Sequence, residues 1–224
     1  MVKIAIDGPA GAGKSTVAQL VAKRLCVLYV DTGAMYRAVT LTALKQGCSV
    51  EDEHGLRELL DKMNLTLETK KGIQRVYVDG EDVTEAIRSP EVTRCVSTVA
   101  AHPLVREKLV EMQRKMASTQ DVVMDGRDIG TAVLPDAELK IFLTASIEER
   151  ARRRFQELEQ KGITVDYSQL LHDIAERDRK DSERRTAPLK KAKDAVLVDT
   201  TGLTIEQVVD RIVELHREKV GERA

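Results

Sequence analysis

The sequence predicts an α/β fold: a five-stranded parallel sheet flanked by helices and interrupted by two excursions. Three observations carry that expectation. Short apolar runs alternate with longer helical patterns, a glycine-rich turn joins the first run to the first helix, and two stretches break the alternation.

Core strands are expected at Val2–Ile6, Val27–Val30, Val122–Met124, Leu139–Leu143 and Ala195–Val198. The stretch Lys14–Leu25 puts Val17, Leu20, Val21 and Leu25 on one helical face. Ile205–Val220 repeats the pattern, and Thr204 followed by Gln207 suits a capping box at its start. An insertion is expected over about 47–116. Within it Asn64–Thr69, Ile73–Asp79 and Asp82–Val83 read as a small antiparallel meander turning at Lys71-Gly72 and Asp79-Gly80. The second excursion, about 148–193, reads as two charged helices broken at Lys161-Gly162. The remainder, 1–46, 117–147 and 194–224, forms the core of a single domain.

Composition removes several function classes. A net charge of -1 gives no global field for nucleic acid or an anionic membrane, and 3% aromatics without Trp leave no stacking platform. No apolar run approaches the ~20 residues needed to span a bilayer, and the N-terminus enters a strand pattern without a signal-peptide layout. A cytoplasmic location is expected. Cys26, Cys48 and Cys95 are widely spaced and suit buried, inert thiols rather than a disulfide or zinc framework.

The chemistry is carried first by Gly8-Pro9-Ala10-Gly11-Ala12-Gly13-Lys14-Ser15, a complete G-x-x-x-x-G-K-[ST] pattern followed by Thr16. Glycines let backbone N–H groups wrap phosphate oxygens, and the helix that follows adds its N-terminal donors and dipole. Lys14 supplies positive charge to the β- and γ-phosphates, and the Ser15 hydroxyl can serve Mg²⁺. The expectation is a P-loop NTPase-type core that binds a nucleoside triphosphate. No Asn-Lys-x-Asp guanine reader is present. Gly126 stands where hydrolytic ATPases place a water-activating glutamate, after Val122-Val123-Met124-Asp125. A transferase with lid-like excursions fits better.

The arginines point to an anionic acceptor. Arg37 and Arg127 follow the carboxyl ends of the second and third strands, the edge where ligands of open α/β sheets sit. Arg177, Asp181 and Arg184 share a spacing of one helix face, as do Arg150, Arg153 and Arg154. Bidentate guanidinium clamps balance the charge gathered during phosphoryl transfer. On the residues alone the acceptor remains open among CMP, AMP, UMP and another small metabolite. A nucleic-acid module built on the arginine-rich helices is the reading from another class.

Four stretches together resemble bacterial cytidylate kinases. They are Ile6–Ser15, Asp31-Thr32-Gly33-Ala34-Met35-Tyr36-Arg37, Asp125-Gly126-Arg127-Asp128-Ile129-Gly130-Thr131, and Arg177-Asp178-Arg179-Lys180-Asp181 leading to Ala187-Pro188-Leu189. The resemblance implies transfer of the ATP γ-phosphoryl group to CMP or dCMP, with Mg²⁺, by a monomer. It assigns the cytosine edge to Ser97, Arg106 and Asp128, and the sugar to Arg177 and Asp181. The acceptor phosphate falls to Arg37, Arg127 and Arg184, with Tyr36 and Thr32 in the same pocket; Thr32 stands where the family commonly has Ser. Lys14, Arg127, Arg184 and the lid residue Arg153 form the implied catalytic set.

Overall fold

The computed structural model describes residues 1–70 and 72–221; Lys71 of the expected turn and positions 222–224 of the expected core lie outside the described residues. Its main sheet has five parallel strands in the order β2-β6-β1-β7-β8. These are β1 (Lys3–Asp7), β2 (Leu28–Asp31), β6 (Val122–Gly126), β7 (Leu139–Thr144) and β8 (Val196–Asp199). Each of them ends one or two residues later than its apolar run. The reason is that Asp7, Asp31, Asp125, Thr144 and Asp199 still belong to the backbone ladder, which hydropathy does not report. The register sets Asp7 opposite Gly126 and Asp31 opposite Asp125, so the polar strand ends form one edge.

Helix α1 (Lys14–Leu25) follows β1 with the expected bounds, and Val17 and Val21 bury against Ile4, Ile6, Leu139 and Ile141. Helix α8 (Ile205–Gly221) packs on that same side through Val208, Val209, Ile212 and Val213. Its start is a reciprocal capping box, with Thr204 N–H donating to Gln207 at 2.9 Å and Gln207 N–H to Thr204 at 3.2 Å. Helix α2 (Thr32–Gln46) is capped by Asp31, which accepts from the Ala34 N–H.

Beyond α2 the insertion comprises α3 (Glu53–Lys62), the meander β3 (Leu65–Lys70), β4 (Ile73–Val78) and β5 (Glu81–Asp82), α4 (Pro90–Val99) and α5 (Pro103–Ser118). It shares one apolar centre with α2, which contributes Met35, Val39 and Ala43. The β4–β5 turn has positive φ at Asp79 (52°) and Gly80 (84°), as a two-residue hairpin turn requires. Helices α6 (Ile147–Gln160) and α7 (Tyr167–Glu183) form the second excursion, joined by an edge-to-face contact of Phe155 and Tyr167.

Two expectations are corrected. Helix α7 stops at Glu183, and Arg184 is extended at φ −60°, ψ 142°, so it does not share the helical face of Arg177 and Asp181. The cysteines are free thiols, but Cys26 is exposed and the other two half-exposed. Cys26 ends α1 in the left-handed conformation, a C-cap position at the surface, although its sequence neighbours are apolar.

Candidate active site

The glycine-rich turn passes from β1 into α1 at the polar sheet edge. Gly8 is required by close approach: a Cβ there would lie 2.0 Å from the Leu143 carbonyl oxygen. The N-cap of α1 is Gly13, left-handed at φ 83° and without a capping side chain, which leaves helix N–H groups for an anion. Lys14 is buried, with Nζ donating to the Pro9 carbonyl at 2.7 Å. Burial holds its pKa well below the ordinary lysine value, and the charges of Arg127 and Arg177 push the same way.

Asp125, which the sequence places at the end of the third strand without assigning it a ligand, is the centre of a buried polar cluster. The Ser15 hydroxyl donates to one of its oxygens and the Tyr29 hydroxyl to the other, both at 2.9 Å. Burial, then the neighbouring Asp31 carboxylate, lift its pKa to about 7. A carboxyl stripped of water beside a serine hydroxyl at the start of a phosphate-binding helix fits a divalent cation. The available signal was an acid ending a fully buried strand. Gly126 beside it has no room for a side chain, since a Cβ would meet Thr32 Oγ1 at 2.6 Å. Thr32 itself donates to the Asp125 carbonyl at 2.7 Å, so its hydroxyl ties α2 to β6.

The other expected residues converge from three directions. Arg127 Nε donates to Asp181 at 2.9 Å, and Ser97 donates to the second Asp181 oxygen at 3.3 Å. Arg106 pairs with Asp128 while stacking 5.4 Å from the Tyr36 ring, and the Arg184 side chain reaches the other Asp128 oxygen at 3.4 Å. Arg37 donates to the Ile87 carbonyl at 3.1 Å and to Thr93 at 2.9 Å. The result joins α2, α4, α5, the end of β6 and α7 in one polar cluster.

In that cluster Arg37, Arg106, Arg127, Arg177 and Arg184 outnumber the carboxylates Asp128 and Asp181. Burial first, then the charges of neighbouring arginines, lowers Arg37 to about 9 and Arg177 to about 10. Arg177 Nε and the Tyr36 hydroxyl are buried and find no partner among the described residues. Arg127 runs the other way: burial opposes its charge, but the Asp181, Asp125 and Asp178 carboxylates together offset that and hold it above its ordinary value. Buried guanidinium groups that repel one another beside Lys14 make a site for phosphate.

Arg153 stands apart from this group. Its nitrogens donate to Glu149 at 2.8 Å and to the Thr200 hydroxyl and carbonyl at 3.0 and 2.8 Å. Its Nη1 would lie 3.9 Å from a Cβ at Gly13, which puts it beside the glycine-rich turn. Among the turn's own groups, the Ala10 N–H is already bonded to Asp178 at 3.2 Å, so it is not presented to a phosphate as expected.

Fold and site together define a P-loop phosphotransferase: a triphosphate cradle facing an arginine-lined acceptor pocket. A family model described as cytidylate kinase matches residues 4–218. A cytidylate kinase of Geobacillus sp. (strain WCH70) is 57% identical over 98% of both chains, and that of Bacillus subtilis (strain 168) is 53% identical over 97% of both. The chain belongs to the cytidylate kinase family. A solved structure of an uncharacterized protein from Eubacterium ventriosum ATCC 27560 shares the fold at 15% identity, with a TM-score of 0.53 over 96% of this chain and 97% of that one.

Proposed function

We propose that the chain transfers the γ-phosphoryl group of ATP to the 5′-phosphate of CMP or dCMP. An oxygen of the acceptor phosphate attacks the γ-phosphorus, the bond to the β,γ-bridging oxygen breaks, and ADP leaves with that electron pair. The acceptor oxygen is anionic at neutral pH, so no strong general base is needed. Positioning and charge stabilisation remain as the protein's contribution.

The observation that carries the reading is the end of β6, where Asp125 accepts from Ser15 of the phosphate-binding helix while the next residues, Arg127 and Asp128, pair with Asp181, Arg106 and Arg184. Gly8 to Thr16 cradle the donor phosphates, with Lys14 at their outer end. Ser15 and Asp125 would hold Mg²⁺, which supplies charge neutralisation between the donor phosphates when bound. Arg37, Arg127 and Arg184 hold the acceptor phosphate, and Arg177 and Asp181 the sugar. Ser97, Arg106 and Asp128 read the cytosine edge: a carboxylate accepts from its exocyclic amine, while Arg and Ser donate to N3 and O2. Arg153 belongs to the lid's donor side and must release Thr200 to reach a phosphate.

In this division the insertion of about 47–116 serves the acceptor and the segment of about 148–193 is the lid. Action as a monomer belongs to the same proposal. Among the described residues no helix is long and apolar enough to cross a membrane. The test is ADP production with ATP and Mg²⁺ over CMP, dCMP, UMP, AMP and GMP. Strong activity with CMP and dCMP and little with the purines is expected. A preference for AMP or GMP would overturn the assignment of Ser97, Arg106 and Asp128.

A further inference from the structure

The run Arg177-Asp178-Arg179-Lys180-Asp181 contains one acid that the acceptor pocket does not use. Asp178 accepts from the Ala10 N–H at 3.2 Å and, through its other oxygen, from Arg150 Nη1 at 2.6 Å. The same Nη1 donates to the Ala10 carbonyl at 2.9 Å, and Arg150 Nε to the Ala145 carbonyl at 3.1 Å. Both peptide units flanking the Ala10 Cα are thus held by an ion pair between α6 and α7. Packing adds to this. At Gly11, left-handed at φ 74°, a Cβ would meet Arg150 Cβ at 3.2 Å, so the crest of the turn is pressed onto α6.

On α7, Asp178 lies directly between groups of different purpose. Arg177 and Asp181 are one turn apart and serve the acceptor pocket, whereas Asp178 reaches the phosphate-binding turn. We propose that Asp178 is a positioning residue that, with Arg150, fixes the crest of the P-loop and ties it to the helix that reads the acceptor. The proposal rests on the acceptor assignment made above. In it, the donor loop holds its phosphate-ready shape only while α7 is docked. A charge-assisted clamp of this kind orders a loop of small residues that has few side chains to pack.

The test separates donor binding from acceptor binding. ADP and CMP are titrated separately into the wild type, Asp178→Ala and Asp178→Asn, and KM for ATP is measured at saturating CMP. Asp178→Ala is expected to weaken ADP and raise KM for ATP by about tenfold, with CMP affinity kept within about twofold. Asp178→Asn keeps an acceptor for the Ala10 N–H without the charge and should fall between. Unchanged ADP affinity, or equal losses of ADP and CMP, overturns the proposal. Should Asp178→Ala not fold, Arg150→Lys takes its place. It keeps the charge but not a fork spanning Ala10 and Asp178, so the same donor-selective loss is expected and its absence overturns the clamp. Wild-type failure to phosphorylate CMP would count against the functional reading alone, because the ADP titration does not depend on turnover.

Discussion

On the proposed donor side the groups left for a ligand are main-chain amides from Gly11 to Thr16, assisted by a single lysine, since Pro9 has no N–H and that of Ala10 is held by Asp178. The proposed acceptor side draws on side chains dispersed from Arg37 to Arg184, of which Arg106, Arg127 and Arg184 are held by Asp128 and Asp181. The difference follows from what each site must tell apart. A polyphosphate is recognised by shape and charge, which amides and a helix N-terminus supply without side chains. A particular base and a monophosphate need directional donors and acceptors, and those come from arginine forks and carboxylates.

The largest effect is expected from breaking the donor side. Lys14→Ala should lower kcat by ~10²-fold or more in steady-state ADP release, by analogy with the loss of an oxyanion donor. Turnover near the wild-type value would remove the lysine from the account. A smaller effect is expected on the acceptor side. Arg127→Lys keeps the charge but loses the fork, so kcat/KM for CMP should fall about tenfold while KM for ATP holds. Equal changes in both substrates would erase the distinction between the two sides.

The smallest effect concerns the strand beneath the donor turn. Asp7 accepts from the Ile129 and Gly130 N–H groups at 2.7 and 2.8 Å, yet burial raises its pKa from 3.8 to about 6. A raised carboxyl pKa means the fold favours the protonated form. Its contribution is full below 3.8 and lost as the pH rises through about 6. Relative to Asp7→Asn, the ligand-free wild type should lose about 1 kcal/mol of stability between roughly pH 5 and pH 7. A stability difference that is flat over that interval would show that Asp7 stays ionised.

The same contrast explains what could be read from the sequence. The donor turn is local, so its spacing, the strand before it and the helix after it all appear in one short stretch. The capping box at Thr204 and Gln207 was legible for the same reason. Long-range pairings left little trace. Ser15 and Tyr29 meet Asp125 across separations of 110 and 96 residues, Tyr29 through the parallel β2–β6 register and Ser15 from the first turn of α1. Periodicity put Arg184 on a helix face, but the helix ends before it and its guanidinium folds back onto the Ala187 carbonyl at 2.6 and 2.9 Å. Family likeness, rather than spacing, brought Ser97 and Arg106 into the site.

The central claim, that amides read the donor and a side-chain network reads the acceptor, is tested most directly with Asp181→Asn. This change unseats Arg127 and Ser97 without touching the glycine-rich turn. Equilibrium titrations with CMP alone and with ADP alone should show CMP weakened by about tenfold and ADP kept within about twofold. Equal weakening of both ligands, or a loss confined to ADP, would contradict the account.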